Sequence, residues 1–155
     1  MNLSESSRIA LEFEARAVRE MFETGRYDPS EVSELVQTYW TNRGSQRDSE
    51  QLRSSIESCM PNFPRGCCDI ASVVLMHRLG EGELLTGVYY KSPRVFDSHA
   101  VLSVGGAICD MTADQFGGPK LYVGEFVLPW TRTPYQWENG PLSDFEKWPE
   151  PIDLW

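Results

Sequence analysis

Three side chains in this 155-residue chain have the types and the order that nucleophilic acyl chemistry needs. Cys68 opens a predicted helix, His99 lies on a later predicted strand, and Asp110 follows on the next, giving nucleophile, base and orienter in turn. The stretch Phe63-Pro64-Arg65-Gly66-Cys67-Cys68-Asp69 puts a thiol where a Pro/Gly loop meets an apolar-periodic segment. A thiol at a helix N-terminus has the positive end of the dipole and free backbone amides beside it, and both favour the thiolate, the form that attacks. Neighbours on a helix point about 100° apart, so Cys67 and Cys68 cannot both serve one site. The Gly-x-Cys spacing and the small Ala71-Ser72 pair favour Cys68, with Cys67 as the alternative.

The elements that must position these residues can be read from periodicity. From Ser6 to about Thr24, Ile9, Phe13, Ala17, Met21 and Phe22 recur at helical spacing, and Gly25 stops the segment. Asp28-Pro29-Ser30-Glu31 is a capping-box pattern opening a second helix, with Val32, Leu35, Val36 and Tyr39 as its apolar face and Asn42-Arg43-Gly44 as its end. A third helix, about 48–59, is mostly polar apart from Leu52 and Ile56 and is expected on the surface. Pro61 and Pro64 are expected to hold the chain extended before Gly66. Residues 68–79 read as a helix with Ile70, Ala71, Val74, Leu75 and Leu79 on a broad apolar face, and it is expected to be the most buried one.

After Gly80 the period changes to that of strands, at 84–90, 98–104, 107–111 and 120–126. Helices first and strands second indicate an α+β fold, with N-terminal helices and the thiol-bearing helix packed on an antiparallel sheet. Gly105-Gly106 between two apolar strands is a two-residue hairpin signal. With that turn, Val104 faces Ala107, Val101 faces Asp110 and Ala100 faces Met111. His99 and Asp110 then share a face at a diagonal position, about 7–8 Å apart at Cα and within side-chain reach. An odd-length loop would break this register. Gly117-Gly118-Pro119 reads as a plain turn.

Length and composition fit one domain over 1–155: a helical part at 1–60, a helix and sheet carrying the three residues at 63–127, and a Pro/Trp-rich wrapping tail from 128. The net charge of −9 argues against nucleic-acid or anionic-membrane partners. With no apolar run near 18 residues and no charged-then-apolar leader, the chain is expected to be soluble and cytoplasmic, or delivered to another cell without a conventional signal. The four cysteines, at 59, 67, 68 and 109, are expected as thiols. No CxxC or HxxxH spacing suggests a metal, and no cofactor is expected.

Pro64-Arg65-Gly66-Cys67-Cys68 with Ala71-Ser72, then Ser98-His99-Ala100-Val101, then Cys109-Asp110-Met111-Thr112-Ala113-Asp114-Gln115-Phe116, resembles the papain-like and transglutaminase-like cysteine hydrolases. Small bacterial glutamine-deamidase effectors and papain-fold toxins are the nearest members. The resemblance covers about 63–116 and implies a Cys68-His99-Asp110 triad. It also implies acyl transfer through a thioester: glutamine deamidation, amide or peptide hydrolysis, or transamidation of a protein or peptide carrying a carboxamide. Departures are Val101, where a tryptophan often follows the family's His-Ala, and the oxyanion glutamine. The nearest upstream glutamine, Gln51, falls inside a predicted helix, which leaves the Cys68 backbone amide as the donor. Asp114 and Gln115 lie near the site by motif position, with Gln115 contacting substrate or tying down its loop. The alternative class is a binding or immunity module that keeps the hydrolase fold without the activity. It would use the chain's acidic face or Trp130, Trp137, Trp148 and Trp155 as anchors.

Overall fold

A computed structural model describes residues 3–92, 95–125 and 136–137. Five helices precede the strands: α1 (Glu5–Thr24), α2 (Pro29–Thr41), α3 (Ser49–Glu57), α4 (Cys59–Asn62) and α5 (Cys68–Leu79). The strands are β1 (Glu83–Ser92), β2 (Val95–Val104), β3 (Ala107–Asp110), β4 (Tyr122–Gly124) and β5 (Gln136–Trp137), with a 3-10 turn at Ala113–Phe116 between β3 and β4. They form one antiparallel sheet in the order β4-β3-β2-β1-β5. The fold is α+β, as the sequence pattern requires, with α5 laid on β1 and β2 and α1 and α2 packed on α5.

Local chemistry explains where the helices start and stop. Ser4 accepts from the Ser7 amide at the head of α1, and Gly25 closes its end in the left-handed region at φ 70°. Asp28 caps α2 by accepting from the Ser30 amide, and Asp48 caps α3 by accepting from the Gln51 amide. Gly80, at φ 73°, ends α5. On α3 only Leu52 and Ile56 are buried, which suits a polar surface helix.

Three expectations need correction. The buried row of α1 is Leu11, Ala15, Val18, Arg19 and Phe22, whereas Ile9 and Phe13 are 61% and 68% exposed. Both rows have helical spacing, and the sequence pattern alone does not say which one meets α5. The chain before Gly66 is not simply extended. Residues 59–62 form the turn α4, which accepts Pro61 because a first helical turn has no use for the missing N–H, and the Phe63-Pro64 bond is cis. Of the tail, only Gln136 and Trp137 are described: they pair with Val88 and Gly87 of β1 as a short strand where wrapping chain was expected. Trp130, Trp148 and Trp155 lie outside the described residues.

The hairpin register matches the sequence reading. Val104 pairs with Ala107, Ser103 with Ile108 and Leu102 with Cys109, across a turn of Gly105 (φ 55°) and Gly106 (φ 84°). Two successive positive φ values are the geometry that suits the right-handed twist of a two-residue hairpin, and glycine reaches them without a Cβ penalty. The core joins Phe22, Leu52, Ile56, Ile70 and Leu75 of the helices to Leu84, Ala100, Leu102 and Met111 of the sheet side.

Candidate active site

The α5 N-terminus carries no side-chain cap: Cys67 occupies the cap position and makes no cap hydrogen bond, so the first amides of the helix are not claimed by a capping side chain. Cys68 is the first residue of the helix and is half-buried at the wall of a cleft of about 400 Å³ that His99 and Gln115 also line. Cys67 points the other way. It is 1% exposed, donates from Sγ to the Arg65 carbonyl at 3.3 Å, and lies against Cys59. The hydrogen bond with Cys59, and burial after it, push the Cys67 thiol far above the usual range. Burial likewise raises the Cys109 thiol. Of the two adjacent cysteines, Cys68 is the one that faces the cleft.

His99 is 2% exposed and Asp110 is fully buried. Their side chains meet as the diagonal register demands, His99 Nε2 lying 2.8 Å from Asp110 Oδ2. The other carboxylate oxygen accepts from the Thr112 amide at 2.9 Å and from the Thr112 hydroxyl at 3.3 Å, so every bond fixes the carboxylate plane. An ionised carboxylate is acceptor-only, so the proton between the pair sits on Nε2 and leaves Nδ1 as the working nitrogen. Burial alone would lower the His99 pKa. The charge of Asp110 and its hydrogen bond, with the nearby Cys68 sulfur, outweigh that and lift it to about 10. Near neutral pH His99 is therefore favoured as the imidazolium, held beside the Asp110 carboxylate.

β3 stops at Asp110, and the turn that follows fills the space beside His99. Gln115 Nε2 lies 3.4 Å from His99 Nδ1 and donates to Thr112 Oγ1 at 3.2 Å, while the Phe116 ring meets the imidazole edge-on with centroids 4.9 Å apart. Asp114, in the same turn, faces away from the cleft and pairs with Arg19 of α1. The opposite wall of the cleft comes from the α2–α3 region, with the Trp40 ring and with Arg47 paired to Asp69 at 3.0 Å. Gly87 of β1 and Ser98 and Ala100 of β2 line the cleft with small residues.

Cys68, His99, Asp110 and Gln115 are thus brought together, and Asp114 is not part of the cleft. Gln51 sits exposed on α3, on the helix where the sequence pattern puts it. Sequence reasoning gave no role to Thr112, Arg19, Trp40 or Arg47. For Arg19 a signal was present: an arginine in the row Leu11, Ala15, Arg19, spaced by four, lies on a buried stripe and needs partners there. Trp40 and Arg47 carry no such signal, because they reach the cleft only through the packing of α2 beside α5. Among the described residues no cluster of three or more His, Cys, Asp or Glu could hold a metal ion, and no helix is long and apolar enough to cross a membrane. Compared with family models, with curated proteins and with solved structures, the chain finds no match in any of the three.

Proposed function

We propose that the protein is a cysteine-dependent amide hydrolase or acyl transferase of the papain-like and transglutaminase-like kind, with Cys68 as nucleophile, His99 as acid and base, and Asp110 as orienter. The observation that carries this reading is that the buried Asp110-His99 pair and the one cysteine of the Cys67-Cys68 pair that faces the cleft meet at the same cleft wall. A structural histidine could be buried and paired, and a structural cysteine could cap a helix. Neither role calls for the two to line one cleft together.

In the first half-reaction the Cys68 thiolate attacks the carbonyl carbon of a carboxamide, and the C–N bond breaks as His99 Nδ1 gives its proton to the departing amine. The tetrahedral oxyanion is placed to accept from the uncapped amides at the head of α5. In the second half, water or an amine gives a proton to Nδ1 and attacks the thioester, and the thiolate leaves. Asp110 keeps Nε2 protonated throughout and stabilises the imidazolium. Water as acceptor gives deamidation or hydrolysis; an amine gives transamidation. The acyl donor is a protein or peptide carboxamide.

The test is iodoacetamide labelling from pH 4 to 9 with peptide mapping, in wild type and in His99→Ala. The reading expects Cys68 alone to label fast at neutral pH and to lose that rate in the variant. Slow labelling of all four thiols, and only in alkali, would end it. It would then favour a non-catalytic binding module, for which the exposed Ile9 and Phe13 of α1 offer a contact surface.

A further inference from the structure

Arg19 is 7% exposed on the inner face of α1, where a guanidinium is costly unless every N–H is used. Its Nη1 donates to the Met111 carbonyl at 2.9 Å, to the Lys120 carbonyl at 2.8 Å and to Asp114 Oδ1 at 2.8 Å. Nη2 donates to Asp114 Oδ2 at 2.7 Å and Nε to Glu23 at 2.6 Å. The guanidinium carbon also lies 5.0 Å from the centre of the Phe63 ring, in the segment that leads into Cys68. A bidentate fork with two carbonyls on one nitrogen fixes position and angle together, which a lysine ammonium cannot reproduce.

The bonds of Arg19 span 111–120, and that segment is the part of the chain that grips His99. Asp114 turns outward to Arg19, whereas its neighbours Gln115 and Phe116 turn inward to the two sides of the imidazole, and Thr112 holds the carboxylate of Asp110. We propose that Arg19 is a positioning residue for the His99-Asp110 pair, acting through Asp114 to lock the 3-10 turn against the imidazole while its contact with Phe63 ties the same clamp to the strand of chain that delivers Cys68. This rests on the functional reading above only for its rate consequence; the placement of His99 is a separate observable.

The conservative variants Arg19→Lys and Asp114→Asn test it, with Glu23→Gln as a control that removes only the outer, half-exposed partner of Arg19. Two readouts are needed. One is the Cys68 labelling rate against pH. The other is the downfield NMR resonance of the His99 Nε2 proton in its bond to Asp110, which reports orientation whether or not the protein is an enzyme. In the folded Arg19→Lys and Asp114→Asn proteins, judged by circular dichroism, the resonance is expected to shift or broaden. The labelling rate at pH 7 is expected to fall at least about tenfold, as misplacement of a catalytic group by under an ångström can cost, and the pH curve to approach that of His99→Ala. Glu23→Gln is expected to resemble wild type in both. Should Arg19→Lys fail to fold, Asp114→Asn decides. A folded variant of either kind with the wild-type resonance and the wild-type pH curve would overturn the proposal. A shifted resonance in a protein whose wild-type Cys68 never labels fast would uphold the clamp and refute the hydrolase reading.

Discussion

Cys67 and Cys68 have the same side chain one bond apart, and their surroundings separate them. Cys67 fills the core against Cys59, and Cys68 is half-buried at the wall of the cleft that His99 also lines. On the proposed reading, Cys68→Ala is expected to abolish acyl transfer and fast labelling with the fold intact. Cys67→Ala, which leaves a small cavity, is expected to lower stability by about 1–2 kcal/mol and spare the chemistry; kinetics and urea melts on the two variants check this. His99 gives a second prediction. Its folded pKa of about 10 exceeds the ordinary 6.5, so its stabilising contribution is complete below pH 6.5 and is lost as pH rises toward 10. Thermal midpoints should therefore fall between pH 6.5 and 9 more steeply in wild type than in His99→Gln.

The hairpin of β2 and β3 converts local turn chemistry into the His99-Asp110 contact. Gly105-Gly106 fixes the register that places Asp110 diagonally from His99, and β3 then ends, which frees the chain to fold the 112–116 turn over the imidazole. Gly106 stands at φ 84°, so Gly106→Val is expected to cost about 1–2 kcal/mol, the usual price of a side chain in the left-handed region. Chemical denaturation measures the loss, and the Nε2 proton resonance should weaken with it. α5 contributes at the same scale. Its six consecutive buried residues, Ile70 to Leu75, anchor it on the sheet, so the position of Cys68 is set by an immobile helix and not by a loop.

Across the whole molecule, α1 braces both halves of the site. Phe22 is fully buried, stacks parallel to Phe63 with centroids 6.1 Å apart and meets Tyr27 at 4.9 Å, so it holds the segment before Cys68 against the helical layer. Phe22→Ala is expected to destabilise the fold by about 3–5 kcal/mol in urea melts. Because the Phe63 ring would lose its stacking partner, Cys68 labelling in the remaining folded protein should slow as well. Three residues before Phe22, Arg19 binds the 111–120 segment, so one helix face meets both the segment before Cys68 and the one beside His99.

The contact between His99 and Asp110 was legible in the sequence because it depends on local rules. A two-glycine turn and a period of two along each strand bring His99 and Asp110 together with no long-range information beyond strand pairing, whereas Cys68 reaches them through the packing of α5 on the sheet. Helix limits were legible for the same reason: Asp28, Gly25 and Gly80 act on the backbone within a few residues. What only the tertiary structure decided are choices among equals. The two apolar rows of α1 have the same spacing, and burial of Leu11, Ala15, Val18 and Phe22 in place of Ile9 and Phe13 follows from which row fits the surface of α5. The roles of Arg19 and Asp114, 95 residues apart, and the choice of Cys68 over Cys67 rest on the same kind of contact. Such contacts form between segments whose separate sequences specify only their own conformation, and the partner of a buried charge is set when those segments pack.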